Sequence, residues 1–283
     1  MCGYKILMNK ISVFGASGFI GGTFCNLYPE EVINIPRDQR QPISNNILYF
    51  ISTTTNQNVF IDLKKDIDTN LNVLVEVLSY CKEKDIIFNF ISSCFVYGND
   101  VINAKETDEC NPTGFYSITK RCAEQLLISF CKTFNIQYRI LRIGNVYGLD
   151  KTISFKKNVL GYLIQNLKEN KPIQLYDGGK YLKDYMYVND VCTAIKFILE
   201  KGRINEIYNI SAGNPKYFKD IIEDAKDILK STSNIVDAPF PKEQEHIQVK
   251  NMTLNNDKLI DLGFSPSISF EEGLKNLCYN LNQ

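Results

Sequence analysis

The sequence has no tryptophan, a single histidine and no surplus of either charge. Lysine plus arginine number 32 and aspartate plus glutamate also 32, so the formal net charge is zero. That balance argues against nucleic acid or an anionic membrane surface as the main partner. No apolar run reaches the roughly 18 residues that span a bilayer. Residues 1–10 lack the apolar core and small-residue cleavage site of a secretory leader, and Met8 leaves open that residues 1–7 are an extension. The nine cysteines form no CxxC pair, and His246 has no cysteine near it in sequence. These absences speak against a disulfide framework and a Cys/His zinc site. No metal is expected, and reduced thiols in a cytoplasmic setting are the simpler reading.

What is present suits a globular chain of one to two domains: 283 residues, 44% hydrophobic and 23% charged. Through the first half, short apolar runs at 11–14, 32–35, 47–52, 86–91 and 138–143 alternate with helical patterns. This is the order of a parallel sheet covered on both faces. Ile67, Leu71, Leu74, Val75, Leu78 and Cys81 recur at three- and four-residue steps and predict an amphipathic helix over 66–84. Ile118, Cys122, Leu126, Leu127 and Phe130 predict a second over 114–134. Beyond about residue 150, Pro172, Asp177-Gly178-Gly179, Asn214-Pro215, Pro239, Pro241 and Pro266 punctuate the chain with turns. A helix at 191–199 and a strand at 206–210 read as a return to the sheet. The expected division is a sheet domain of residues 1–150 with 186–210 returning, and a small cap of 151–185 and 211–283.

Gly15-Ala16-Ser17-Gly18-Phe19-Ile20-Gly21 is a GxxGxxG turn between a strand and a helix. Glycine allows the tight turn and lets backbone N–H groups approach a pyrophosphate at a helix N-terminus. With this turn the chain resembles the extended short-chain dehydrogenase/reductases, the NAD(P)-dependent nucleotide-sugar epimerases, dehydratases and reductases. The resemblance implies a doubly wound parallel sheet of Rossmann type. It also implies cofactor contacts from Gly15, Ser17, Gly18, Phe19, Ile20 and Gly21, and from Ser52 at the end of the third strand. Pro36 stands where an acidic residue would meet the ribose of NAD, and Arg37 follows it. A guanidinium matches the 2′-phosphate of NADP, so NADP is the favoured cofactor, with Asp38 leaving NAD as the alternative. Only residues 39–46 separate Arg37 from the next strand. One strand–helix unit of the family is missing from the chain.

Tyr116-Ser117-Ile118-Thr119-Lys120 is YxxxK, which puts a phenol and an ammonium on one helix face. A nearby Lys⁺ is expected to lower the phenol pKa towards neutrality. Ser92-Ser93-Cys94-Phe95-Val96-Tyr97-Gly98 resembles the family's loop at the sheet's C-terminal edge. The resemblance makes Ser93, Tyr116 and Lys120 the catalytic set, with Tyr116 and Lys120 also touching cofactor. Dehydratases of the family carry Asp-Glu after that serine. Here Cys94-Phe95 follow, which argues against 4,6-dehydration and leaves them as substrate contacts. Leu141-Arg142-Ile143-Gly144-Asn145-Val146-Tyr147-Gly148 and Lys183-Asp184-Tyr185-Met186-Tyr187-Val188-Asn189-Asp190 match two further family segments. They imply that Asn145 and Lys183 meet the diphosphate of a nucleotide sugar, with lysine in place of the usual arginine. Lys156, Lys157 and Lys242 are further basic residues within reach of a phosphate, with a solvated face as their default. The expected activity is NADP-dependent reduction of a keto sugar at C4, with NAD-dependent 4-epimerisation as the alternative and a non-catalytic nucleotide-binding scaffold as a more distant one. The family also implies a homodimer through helices 66–84 and 114–134.

Overall fold

The structure is a computed structural model that describes residues 10–149 and 159–280. Met8, Lys156, Lys157 and the expected boundary near residue 150 lie outside the described residues. The chain opens with β1 (Ile11–Phe14), α1 (Phe19–Leu27), β2 (Val32–Ile35) and β3 (Asn46–Tyr49). A short helix α2 (Lys65–Ile67), a π-turn (Asp68–Asn72) and α3 (Val73–Ser79) lead to β4 (Ile87–Ser93) and β5 (Val101–Ala104). Then come α4 (Phe115–Thr133), β6 (Gln137–Ile143) and β7 (Asn145–Tyr147). The later half contributes α5 (Val159–Lys168), β8 (Ile173–Tyr176), β9 (Leu182–Lys183), β10 (Tyr185–Tyr187), α6 (Val188–Lys201) and β11 (Glu206–Ile210). It finishes with β12 (Lys216–Tyr217), α7 (Phe218–Leu229), β13 (Ile235–Ala238), β14 (Met252–Leu254), α8 (Asp257–Asp261) and α9 (Phe270–Asn280).

Six strands form one parallel sheet in the order β11-β6-β4-β3-β1-β2. Alternation sorts its side chains onto two faces. Val13, Leu48 and Ile91 point to a core shared with Phe24 of α1 and Val191 and Ile195 of α6. Phe14, Ile47, Tyr49 and Phe90 point to a second core with Leu74 and Val77 of α3 and Ala123 and Leu127 of α4. This is the doubly wound architecture the sequence pattern predicts. The strand order reverses between β1 and β3, the switch point where open α/β sheets bind ligands.

The missing unit is visible at the sheet edge. Residues 36–45 run as a loop from β2 to β3, across one face of β1. A loop on a sheet face must satisfy its own backbone, and Ser12 of β1 provides for that. Its hydroxyl accepts the N–H groups of Ile43 (3.0 Å) and Ser44 (2.8 Å), while its own N–H donates to Ser44 Oγ at 2.9 Å.

Two expectations need correction. The helix over 66–84 is not continuous, because the π-turn interrupts it and the regular helix stops at Ser79. The reason is Asn70, whose buried side chain turns inward to bond Thr53 and Thr119 and takes an extra residue into that turn. The strand expected over 47–52 ends at Tyr49, because Ser52 and Thr53 leave the ladder for the same asparagine. The later elements add a parallel β8–β13 pair and a four-stranded sheet in the order β12-β9-β14-β5. Buried residues of α5, α7 and α9 join the core on the α1 side of the main sheet.

Candidate active site

The glycine turn closes tightly after β1. Gly15 has φ +83° and its carbonyl accepts the N–H of Gly18 at 3.1 Å. A Cβ on Gly21 would fall 2.4 Å from that carbonyl oxygen, so α1 lies against the turn only because position 21 has no side chain. The helix N-terminus has no side-chain cap and no acidic residue in its first turn. Its N–H groups and partial positive charge are therefore available to an anion. Ser17 is exposed there, Phe19 and Ile20 are half-buried, and Phe19 reaches the large cavity described below. These features fit the pyrophosphate of a dinucleotide.

Arg37 is exposed just beyond β2, and no described group pairs with its guanidinium. Arg40 is the anchored arginine: its Nε meets Glu76 at 2.6 Å and its terminal nitrogen donates to the Arg37 carbonyl at 2.7 Å.

Ser93 ends β4 and Tyr116 and Lys120 stand on the first turns of α4, where sheet and helix converge. Ser93 Oγ accepts the N–H of Phe95 at 3.3 Å, so it caps the short turn Cys94–Tyr97. The hydroxyls of Ser93 and Ser52 both act on the Tyr116 phenol. The phenol is nevertheless pushed up to about 12, chiefly because burial disfavours the anion. Lys120 is buried, donates to the Ile91 carbonyl at 2.6 Å and lies 4.2 Å from the centre of the Phe90 ring. Burial lowers its pKa to about 7, opposed by Glu124. The expected lowering of the phenol by Lys120 is therefore not what the chain alone does, since Lys120 is spent on a carbonyl and a ring. At neutral pH, Tyr116 is a protonated acid.

A cavity of about 1530 Å³ opens from this corner. Ser93, Cys94, Phe95 and Tyr116 line one part of it, and Asn145 and Lys183 also face it. Phe95 meets the Tyr116 ring edge-on at 6.2 Å. Cys94 is buried and its thiol is pushed up to about 12 by burial, which makes it a poor proton donor or acceptor at neutral pH. Lys183 Nζ donates to the Val249 carbonyl at 2.9 Å, and burial pulls its pKa down to about 8. Asn145 donates to the Asp184 carbonyl at 3.3 Å. Asp184 and Asp190 hold loops: Asp184 accepts the Gly213 N–H at 2.8 Å, and Asp190 accepts from Ser267 and Ile268.

Sequence reasoning passed over two parts of the cavity wall. Asn56 is buried beside α4 and accepts both the N–H (3.2 Å) and the hydroxyl (3.1 Å) of Ser117. Gly114 makes room for it, since a Cβ there would fall 2.1 Å from the Asn56 side chain. The glycine just before the YxxxK helix was the available signal. Further along, Phe240 packs with Tyr176 at 4.9 Å and Tyr181 at 5.8 Å. No spacing rule links residues so far apart.

A model of the NAD dependent epimerase/dehydratase family matches residues 51–211. The chain belongs to that family. The trifunctional UDP-glucose 4,6-dehydratase/UDP-4-keto-6-deoxy-D-glucose 3,5-epimerase/UDP-4-keto-L-rhamnose-reductase of Arabidopsis thaliana is 27% identical over 240 residues, covering 81% of this chain. The chain spans only 34% of that relative's length. Among solved structures, the UDP-glucose 4-epimerase of Thermotoga maritima, determined with UDP-glucose, superposes with a TM-score of 0.85 at 23% identity. The overlap covers 95% of this chain and 97% of that one. RMD from Pseudomonas aeruginosa, complexed with NADPH, superposes with a TM-score of 0.82 at 21% identity, covering 96% and 98%. At such identities these two structures show a shared fold. The segment assigned to the epimerase/dehydratase family contains Ser93, Tyr116, Lys120, Asn145 and Lys183, and begins after the glycine turn.

Proposed function

We propose that this member of the epimerase/dehydratase family is an NAD(P)-dependent oxidoreductase acting on a nucleotide-linked sugar, and that its net reaction is reduction of a keto group at C4 with NADPH. The carrying observation is that Ser93 and Tyr116 line one end of the large cavity, with the phenol protonated at neutral pH and Lys120 buried one turn further along the same helix. A nicotinamide dinucleotide held against the glycine turn would supply hydride. Tyr116 donates a proton to the sugar carbonyl oxygen, Ser93 orients that oxygen, and Lys120 holds the nicotinamide ribose. Phe95 and the high-pKa Cys94 occupy the positions where elimination of water would need an acid and a base, which disfavours 4,6-dehydration.

The sugar would lie between the sheet half and the cap, with its diphosphate near Asn145 and Lys183. Arg37, exposed and without a partner among the described residues, favours the 2′-phosphate of NADP. A second reading, 4-epimerisation with retained NAD, is favoured by the family's NAD dependence and by Asp38 beside Arg37. We also place the protein in the cytoplasm as a homodimer. Two stripes of exposed apolar residues support the dimer: Leu63, Ile67 and Val75 on one segment, Ile118 and Leu126 on α4.

The test follows loss of reduced-nicotinamide absorbance with a panel of UDP-, dTDP-, GDP- and CDP-linked 4-keto sugars. NADPH oxidation with one of them is expected, and Tyr116→Phe should cut turnover by about 10²–10⁴-fold. Undiminished turnover in that variant would refute Tyr116 as the acid. Interconversion of 4-epimers without net cofactor oxidation would replace reduction by epimerisation.

A further inference from the structure

Arg37 and Asp38 share the crown of one turn and favour opposite cofactors. Arg37 offers a guanidinium to a ribose 2′-phosphate, and Asp38 offers a carboxylate to a ribose 2′-hydroxyl. Both are exposed. The N–H of Gln39 closes the turn by donating to the Pro36 carbonyl at 3.0 Å. Strand register sets where it sits. Phe14 of β1 stands opposite Ile35 of β2, so the turn leaves the sheet beside the glycine turn that begins at Gly15. The side chain that meets a ribose bound there depends on how the turn is held.

The strand–helix unit that would follow β2 is missing, and residues 36–45 run directly to β3. Arg40 holds the turn in its place. Its Nε donates to Glu76 of α3 at 2.6 Å, and Nη1 donates to the Arg37 carbonyl at 2.7 Å. That carbonyl belongs to the peptide between Arg37 and Asp38, the one whose flip interconverts the two common turn types. The guanidinium therefore fixes the central peptide of the turn to a helix that packs on the sheet through Leu74 and Val77. Only a planar fork reaches two acceptors from separate nitrogens, which a lysine ammonium cannot do. Ser12 and Ser44 secure the far end of the loop independently.

We propose that Arg40 is a positioning residue for cofactor choice: braced by Glu76, it locks the Pro36–Gln39 turn so that Arg37, rather than Asp38, meets the cofactor ribose. The role rests on the reading of Arg37 as the group that takes the 2′-phosphate. Releasing the central peptide frees the turn to present Asp38 instead. The brace is partly exposed, with Arg40 at 25% and Glu76 at 55%. An ion pair in that setting adds little to global stability, so its loss is read in cofactor choice rather than in unfolding.

Dissociation constants for NADPH and NADH are measured by titration calorimetry on the full chain, with no sugar present. Arg40→Ala should weaken NADPH binding by roughly three- to tenfold, the size of one hydrogen bond, without weakening NADH binding or much changing the melting temperature. Arg40→Lys should behave like the alanine variant. Glu76→Ala should move the NADPH-to-NADH ratio the same way, Glu76→Gln less so because it keeps an acceptor for Nε, and neither should act once position 40 is alanine. Arg40→Ala added to Arg37→Ala should cost nothing more than Arg37→Ala alone, since the brace works only through Arg37. An unchanged ratio in Arg40→Ala would overturn the proposal. Losses that add in the double variant would also overturn it, because Arg40 would then touch the phosphate itself. If the unmodified protein shows no preference for NADPH, the reading of Arg37 falls first and the brace with it, so the two failures are told apart by the unmodified protein alone.

Discussion

Lys183 stands where the family's segment carries arginine, and the exchange has a measurable consequence. An arginine stays charged at any working pH, whereas the buried ammonium of Lys183 loses its proton as pH rises through about 8. The charged form, the one that attracts a diphosphate, exists below that value. Affinity for UDP, measured by calorimetry, should therefore be highest below pH 8. It should fall above it by up to roughly tenfold per pH unit, the limit for one linked proton. Lys183→Arg should flatten the profile, and a flat profile in the unmodified protein would remove Lys183 from the diphosphate site. Arg37 invites a parallel experiment. Arg37→Ala should weaken NADPH binding by roughly tenfold and leave NADH binding unchanged, as expected for loss of one charge-assisted contact. Equal losses for both cofactors would count against that role.

Among the elements, α4 carries most of the site and is fastened to the sheet by a buried ion pair. Glu124 is fully buried and accepts two bonds from Arg142 of β6, at 3.0 and 2.8 Å, and one from Arg121 at 2.8 Å. Arg142 in turn lies 4.6 Å from the centre of the Tyr97 ring. Burying such a pair costs desolvation, so its presence is weak evidence of net stabilisation. Removing one partner is a different matter, because it strands the other charge. Glu124→Ala should cost about 3–5 kcal/mol in chemical denaturation. A loss well under 1 kcal/mol would mean that water reaches Arg142 in the variant. Tyr116, Lys120 and Glu124 share α4, so the pair with Arg142 of β6 also fixes the helix that carries the site against the sheet.

For the molecule as a whole, the exposed apolar stripes on the segment 63–75 and on α4 set the expected assembly. Ile118 on α4 is 47% exposed and Leu63, in the turn before α2, is 57% exposed, both high for apolar residues. Sedimentation should give twice the mass of one chain. Ile118→Arg combined with Leu126→Arg should give the monomer with little change in melting temperature. If the unmodified protein sediments as a monomer, the stripes need another explanation.

The sequence by itself determined the strands of the main sheet, its two faces, the glycine turn and the short crossover after β2. Each follows from local spacing: period-two or continuous apolar runs, three- and four-residue steps, and glycine at a strand–helix junction. It also placed Ser93, Tyr116 and Lys120 at the end of a strand and on the helix beside it. Tertiary structure alone decided how these side chains are partnered. Whether Lys120 faces a phenol or a carbonyl, and how Asn56 fits against Gly114, depend on groups distant in sequence. The π-turn at Asp68–Asn72 is of the same kind, because its cause is a bond from Asn70 to residues 17 and 49 positions away. Apolar periodicity reports which face of an element is buried, but the direction of a buried hydrogen bond is fixed only when every donor and acceptor around it is in place.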